Sequence, residues 1–289
     1  MAVDDVAASS AVSHRSAFAL IVGASIALLT GVCGVVLIAD VTVPPWALFV
    51  GRWIPALVAV IVLVRTPGLH GAGRGTLADW WGLRRADGPR SAPRLVGTIL
   101  ASAGAAAGVL VIAVVTALLA DTVGAIGLRD GDVLALGALA TVPLTLVLAV
   151  STLGEEAVWR GHLPRLLGAG FWQGACVIAG AWTAFHVPLT LVYALQGAMP
   201  AAHAAAATLG LFPLGLFLSA AAARWGSVWP AVIAHAVPVS ALTLATDVQG
   251  LDAAAVWTVT GISAALFLSA TMAIAPVEGV RRPHRGSRR

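Results

Sequence analysis

Eight stretches of this chain are apolar over about the length needed to cross a bilayer, and that feature constrains the fold more than any other. The runs are Ala17–Ala39, about Pro45–Val64, Leu95–Ala120, Val133–Leu153 and onward, Phe171–Leu195, Ala204–Ala223, Val228–Thr246 and Ala253–Ala275. A transmembrane helix needs roughly 20 predominantly apolar residues. In hydrocarbon every backbone polar group must be satisfied internally, which runs of this length achieve as helices. Only 10% of the 289 residues are charged, against about 25% in a soluble domain, and the mean hydropathy is +0.94. The expected fold is therefore all-α: a polytopic transmembrane bundle of about eight helices. The first run is too long for a signal-peptide core and no small-residue cleavage site follows it, so it reads as a retained span.

Charge asymmetry orients the bundle. One side carries Arg15, the arginine-rich loop Arg65–Arg94, Arg160 and Arg165, Arg224, and the run from Arg281 to Arg289. The other carries Asp40, then Asp121, Arg129, Asp130 and Asp132, then Asp247 and Asp252. The alternation places both termini in the cytoplasm and divides the chain into a polar tail (1–16), a transmembrane domain (17–277) and a basic tail (278–289). All 17 basic residues are arginine. Because they mark the cytoplasmic side, the net charge of +4 is no signal of nucleic acid, and the bilayer is the expected partner. Trp46, Trp172, Trp225, Trp229 and Trp257 lie near span ends, where an aromatic belt puts them. Cys33 and Cys176 fall near opposite leaflets and read as buried small hydrophobes rather than a disulfide. Leu77–Arg85 reads either as an interfacial helix with Trp80 and Trp81 toward the acyl boundary, or as a polar connector. Arg52, inside the second run, either snorkels outward or pairs within the bundle.

Chemistry concentrates in Gly154–Leu167. Two of the three glutamates in the chain, Glu155 and Glu156, follow directly on an apolar run. An ionisable group within a membrane segment marks a functional site by default. On a helix, Glu156 and Arg160 are four residues apart with the acid N-terminal, the favourable order for a pair. Glu155 points about 100° away and lacks that local cation, which suits a general base. The plainer reading is an interfacial Glu–Arg pair that ends the span. His186 and His235 lie deep in two further runs, each beside a proline, and either could be a core histidine bonded to a carbonyl. Jointly, two deep histidines and a carboxylate pair on three helices can converge on one cavity and activate water. His162, His203 and His284 lie at loops or span ends and read as solvated. If the fourth helix stopped at Leu153, Glu155 and His186 would sit some 15–20 Å apart in depth. Convergence requires that helix to run past Arg160 through Leu163, Leu166 and Leu167.

Three motifs, in order, resemble those of the CAAX protease and bacteriocin-processing (CPBP or Abi) intramembrane proteases, which are related to type-2 CAAX prenyl endopeptidases. EEAVWRG at 155–161 is similar to the family's EExxxR, WTAFH at 182–186 to FxxxH with Trp182 in place of Phe, and SVWPAVIAH at 227–235 to the stretch leading into HxxxN. The resemblance covers the fourth to seventh runs, a peptidase-like core at about 133–247. It implies that Glu155 is the general base, activating a water with His186, and that His235 helps stabilise the oxyanion. Glu156 and Arg160 would shape the site or hold a substrate carboxylate. It leaves the cofactor open: none, or a divalent metal such as zinc on Glu155, His186 and His235. One departure is plain. The family Asn would fall at Val239, the chain has no Asn, and Ser240 would sit one residue around the helix.

The expectation is an intramembrane endopeptidase in a plasma membrane of bacterial type, its cavity facing the cytoplasm, acting on a membrane-associated peptide or protein. Two alternatives from other classes stand beside it: an inert scaffold or immunity-type family member, and a small-molecule transporter.

Overall fold

The computed structural model describes residues 13–66, 76–83, 92–248 and 250–277. The elements are α1 (His14–Ile38), α2 (Pro45–Gly51), α3 (Ile54–Arg65), α4 (Leu77–Trp80), α5 (Ala92–Thr122), α6 (Gly131–Glu156), a π-helical turn (Ala157–His162), α7 (Leu163–Leu167), α8 (Phe171–Leu195), α9 (Ala201–Trp225), α10 (Trp229–His235), a 3₁₀ turn (Leu242–Leu244) and α11 (Ala253–Ile274). The described residues hold no strand, only a single bridge between Leu128 and Ala245. The chain is an all-α integral membrane protein. Residues 1–12 of the expected N-terminal tail, the basic tail with His284, and Arg74, Arg84, Arg85 and Arg90 of the basic loop lie outside the described residues. The first helix starts at His14, capped by Ser13, and so takes in the end of that expected tail.

Among the described residues, seven helices are long and apolar enough to cross a membrane: His14–Ile38, Trp46–Arg65, Leu95–Thr122, Gly131–Leu167, Phe171–Leu195, Ala201–Trp225 and Ala253–Ile274. The run Val228–Thr246 differs from expectation, because it is not one helix. Pro238 has no N–H to donate and disfavours helical geometry at Val237, so α10 stops at His235. The segment nonetheless traverses the bundle. At its start the Val228 amide donates to the Gly82 carbonyl, and Gly82 packs on Gly161. At its finish Thr246 donates to Gly127, and Arg129 donates to Leu244. Gly127 lies just before the start of the helix Gly131–Leu167 and Gly161 near its other end, so the two contacts sit toward opposite ends of that helix. A half-helix followed by irregular chain makes this crossing. Ala236, Ala241 and Ala245 anchor it in the core, while Ser240, Thr243 and Thr246 are exposed.

Small residues let the helices approach closely. Along α9, the most buried span, Ala204, Ala206, Gly215, Ala220, Ala221 and Ala222 face inward, and α9 packs against α8 and α11. The outward faces are apolar, with Leu136, Leu139, Val142 and Leu146 of α6 exposed, as a lipid-facing surface requires. Cys33 is buried and Cys176 exposed, and both are free thiols; the second is not the buried hydrophobe expected. The segment from Leu77 also departs from the flat interfacial helix. A capping box on Thr76 and Asp79 starts it, it ends after one turn ahead of Gly82 at φ +67°, and Trp81 lays its backbone against Gly161.

Two irregularities place the site. The second span breaks at Arg52–Trp53, between α2 and α3. The Pro55 ring conflicts with the carbonyl four residues before it, so α2 ends at Gly51 and Trp53 donates to Val50. The Phe49 carbonyl, freed by the break, accepts from Ser151 Oγ at 2.8 Å. The break seats on α6 at Gly154, where a Cβ would meet the Trp53 ring at 2.7 Å and the Arg52 carbonyl at 2.9 Å. The second irregularity is the π-helical turn. It continues α6 without interruption into α7, so the helix does run past Arg160.

Candidate active site

Glu155 and Glu156 end α6, with the π-helical turn directly behind them, and both are fully buried. Neighbouring residues on a helix diverge by about 100°, so each carboxylate meets a different set of partners. Glu156 Oε1 accepts from Arg160 Nη1 at 2.9 Å, the pair expected four residues apart. The same oxygen takes His235 Nδ1 at 2.8 Å from the last residue of α10. Arg160 also donates from Nη2 to the Gly215 carbonyl on α9 at 3.3 Å and stacks over the Trp182 ring at 4.4 Å. Gly215 makes room: a Cβ there would press on Arg160, Trp182 and Ala179 at 3.1 Å. Arg160 thus has a counter-charge, two of its donor nitrogens engaged and its flat face covered, although its buried Nε takes no hydrogen bond, and these partners are what make a desolvated guanidinium tolerable.

Glu155 faces the other way. Trp182 Nε1 donates to its Oε2 at 2.5 Å, and His186 Nε2 lies 3.9 Å from the same oxygen. Arg52 Nε is 3.6 Å from Oε1. Glu155 therefore has a cation after all, supplied by the break in the second span rather than by its own helix. The Arg52 distance makes an ion pair but no hydrogen bond, and Oε1 is buried with none. Buried oxygens without a hydrogen bond are rare and call for an explanation, such as a water or a catalytic role.

The histidine protonation follows from the partners. His186 Nδ1 lies 2.8 Å from the Trp182 carbonyl. A carbonyl only accepts, so Nδ1 carries the hydrogen, and in the neutral ring Nε2 presents a lone pair toward Glu155. His235 is set similarly: its Nδ1 donates to the Glu156 carboxylate, leaving Nε2 bare in the neutral ring. Trp182 stands between the two rings, edge-on to His186 at 5.0 Å and to His235 at 5.2 Å.

All five residues singled out in the sequence (Glu155, Glu156, Arg160, His186 and His235) meet in one cluster. His235 sits on Glu156, away from Glu155. The indole of Trp182 was not anticipated as a site residue; the signal was a donor-bearing aromatic at the motif's Phe position. His162, expected to be solvated, is fully buried in the π-helical turn beside the Trp80 ring. His203 is largely buried and donates to the Leu251 carbonyl. Val239 and Ser240 lie beyond the end of α10, so the angular relation expected of a helix does not hold there. Ser240 is exposed and engaged with Thr243. The side chains of Arg52 and His186 are 32% and 18% exposed, against 7% for His235 and none for Glu155, Glu156 and Arg160.

The residues that would hold a divalent metal do not fit one. Among the described residues no three His, Cys, Asp or Glu side chains are grouped to ligate an ion. His235 is turned onto Glu156, and Trp182 occupies the Glu155 oxygen nearest His186. A cavity of about 250 Å³ is lined by Arg160 itself together with Gly82, Gly161, Arg165, Ser219 and Ser227.

Residues 137–238 match the family model described as Type II CAAX prenyl endopeptidase Rce1-like. This is a protease family, and the matched stretch contains all three motifs. No curated protein and no solved structure matches the chain.

Proposed function

We propose, taking that family match as the premise, that this chain is an intramembrane endopeptidase with Glu155 as general base. The observation that carries the reading is the facing pair: a buried Glu155 carboxylate and the Nε2 lone pair of His186, 3.9 Å apart. Two acceptors at that separation cannot bond each other. A water that donates one hydrogen to each is held by both and presents its oxygen lone pair to a scissile carbonyl. Glu155 then takes the water proton as the O–C bond forms and the carbonyl π-pair moves onto oxygen. When the C–N bond breaks, the same proton passes to the departing amine. Trp182 fixes the carboxylate by its indole N–H, and Glu156 fixes His235. In the neutral ring His235 Nε2 has no hydrogen, so donation to the oxyanion requires the doubly protonated form. No step runs through a metal.

The working core is the segment of about 133–247, closed by the break in the second span. The substrate class is a peptide or protein held at the membrane, with prenylated C-terminal peptides, which the family description names, as the first to try. The localisation that goes with this reading is a plasma membrane of bacterial type, with the site reached from the cytoplasmic side.

The test is cleavage of a pool of membrane peptides by purified wild-type protein and by Glu155→Ala, each with and without a chelator. Cleavage that is lost in Glu155→Ala and survives the chelator fits the mechanism. Cleavage abolished by the chelator and restored by zinc replaces it with a metal mechanism. Equal inactivity of both proteins, with a stable membrane partner recovered, favours the scaffold reading that Val239 invites.

A further inference from the structure

We infer that Arg52 is a catalytic residue: its guanidinium holds the Glu155 charge before the reaction and stabilises the oxyanion as that charge moves. The inference rests on the endopeptidase reading and adds a residue from outside the matched segment 137–238.

The cluster is short of an oxyanion donor. A tetrahedral intermediate needs donors preorganised where negative charge develops. The motif position for an Asn holds Val239, in irregular chain beyond α10. Trp182 spends its N–H on Glu155. Arg160 spends Nη1 on Glu156 and Nη2 on Gly215; its Nε takes no partner but is enclosed with the rest of a fully buried side chain. His235 spends Nδ1 on Glu156. Arg52 remains. Of the two arginines in the described cluster it is the one whose side chain is not fully enclosed, and His186, which faces the same carboxylate, is partly exposed as well.

Position supplies the second half. Arg52 Nε is 3.6 Å from Oε1, the Glu155 oxygen that takes no hydrogen bond. The water between Glu155 and His186 lies on Oε2, and the carboxylate charge, shared by both oxygens, is what Arg52 faces at Oε1. Once Glu155 is neutral, the Arg52 charge loses its partner while an equal negative charge appears on the substrate oxygen a few ångströms away. One cation beside both ends of this transfer balances the charge throughout, next to a carboxylate that is itself fully buried. The fold builds the position deliberately. Pro55 breaks the helix, Ser151 takes up the freed Phe49 carbonyl, and Gly154 lets the break close on α6 one residue before Glu155.

The experiment compares wild type, Arg52→Gln, Arg52→Met and Arg52→Lys in detergent, with folding followed by thermal melting and kcat and KM followed on one cleaved peptide. Loss of an oxyanion donor typically costs ~100–1000-fold in rate, so Gln and Met should lose that much in kcat with KM nearly unchanged. Lys keeps the charge and should stay within roughly tenfold of wild type. Added guanidinium should restore part of the rate to the Met variant. Folded Gln and Met variants with wild-type kcat overturn the inference. So does an equal loss in the Lys variant, or failure of both neutral variants to fold, since each assigns Arg52 to packing. If wild type and Glu155→Ala are equally inactive, it is the endopeptidase reading that has failed, and this inference with it.

Discussion

Alanine at Gly154 separates two effects that ordinarily go together. Inside a helix, Gly→Ala is favourable by about 0.5–1 kcal/mol. At Gly154 the new methyl would stand 2.7 Å from the Trp53 ring and 2.9 Å from the Arg52 carbonyl, where ordinary contact starts at 3.4 Å. The ring must retreat by about 0.7 Å, and the obstacle includes backbone, so a rotamer change cannot relieve it. Overpacking of this kind costs about 1–3 kcal/mol, which outweighs the helical gain and leaves a net loss of about 1–2 kcal/mol. The same retreat carries Arg52 away from Glu155, beyond its present 3.6 Å. Misplacement of catalytic groups by about 1 Å can cost ~100-fold in rate, so a 10–100-fold fall in kcat is expected, with the order of magnitude taken from that rule. Gly137 provides the control on the same helix, because a Cβ there meets nothing within 4 Å. Thermal melting in detergent and peptide cleavage should show Gly137→Ala at least as stable as wild type and fully active, and Gly154→Ala impaired in both. If Gly154→Ala melts higher alongside Gly137→Ala and cleaves normally, the account of the helix break as a seat for Arg52 is wrong.

Two further outcomes follow from the partners of the carboxylates. Glu156→Gln leaves Arg160 buried without its counter-charge, which typically costs about 3–5 kcal/mol; a melting temperature equal to wild type would show that Glu156 does not hold the cluster. Trp182→Phe keeps the ring beneath Arg160 and removes the N–H from Glu155. A hydrogen bond to a charged group is worth about 1.5–3 kcal/mol, so kcat should fall roughly 10–100-fold with KM near wild type, and an unchanged kcat would mean that Glu155 is positioned by something else.

The span pattern and the chemistry were readable for different reasons. Length and apolarity are summed over many residues, so the seven long helices could be located from hydropathy with ends displaced by only a few positions. The Glu156–Arg160 pair was readable because its geometry is internal to one helix. What hydropathy could not register was backbone irregularity inside apolar chain. The run from Val228 to Thr246 is as apolar as its neighbours, and its collapse to a seven-residue helix depends on Pro238 and on pairing with Gly127 and Arg129, more than a hundred positions away in the chain. Arg52 was ambiguous for a related cause: the residue facing it, Glu155, belongs to another span, and only the Pro55 break brings the two together. Trp182 was read as an aromatic at an aromatic position, because its polar edge matters only once Glu155 lies beside it. His162 looked solvated because a basic residue near a span end usually is, and the wider turn that buries it carries no sequence signal of its own.

That wider turn acts as a phase shift along a single rod. An α-helix advances about 100° per residue, so the residue accommodated by the π-helical turn reorients everything after it without moving what comes before. Gly131–Glu156 can keep its lipid-facing side and its two carboxylates, while Leu163 and Leu166 of α7 are turned into the core. Deleting one residue within Ala157–His162 would tighten the rod to uniform pitch. It would swing Leu163–Leu167 by about 100°, take Arg160 off Glu156, and present Gly161's neighbours, instead of its bare backbone, to Trp81. The two halves of this helix therefore answer to different surroundings, and the length of the turn between them is fixed to the residue.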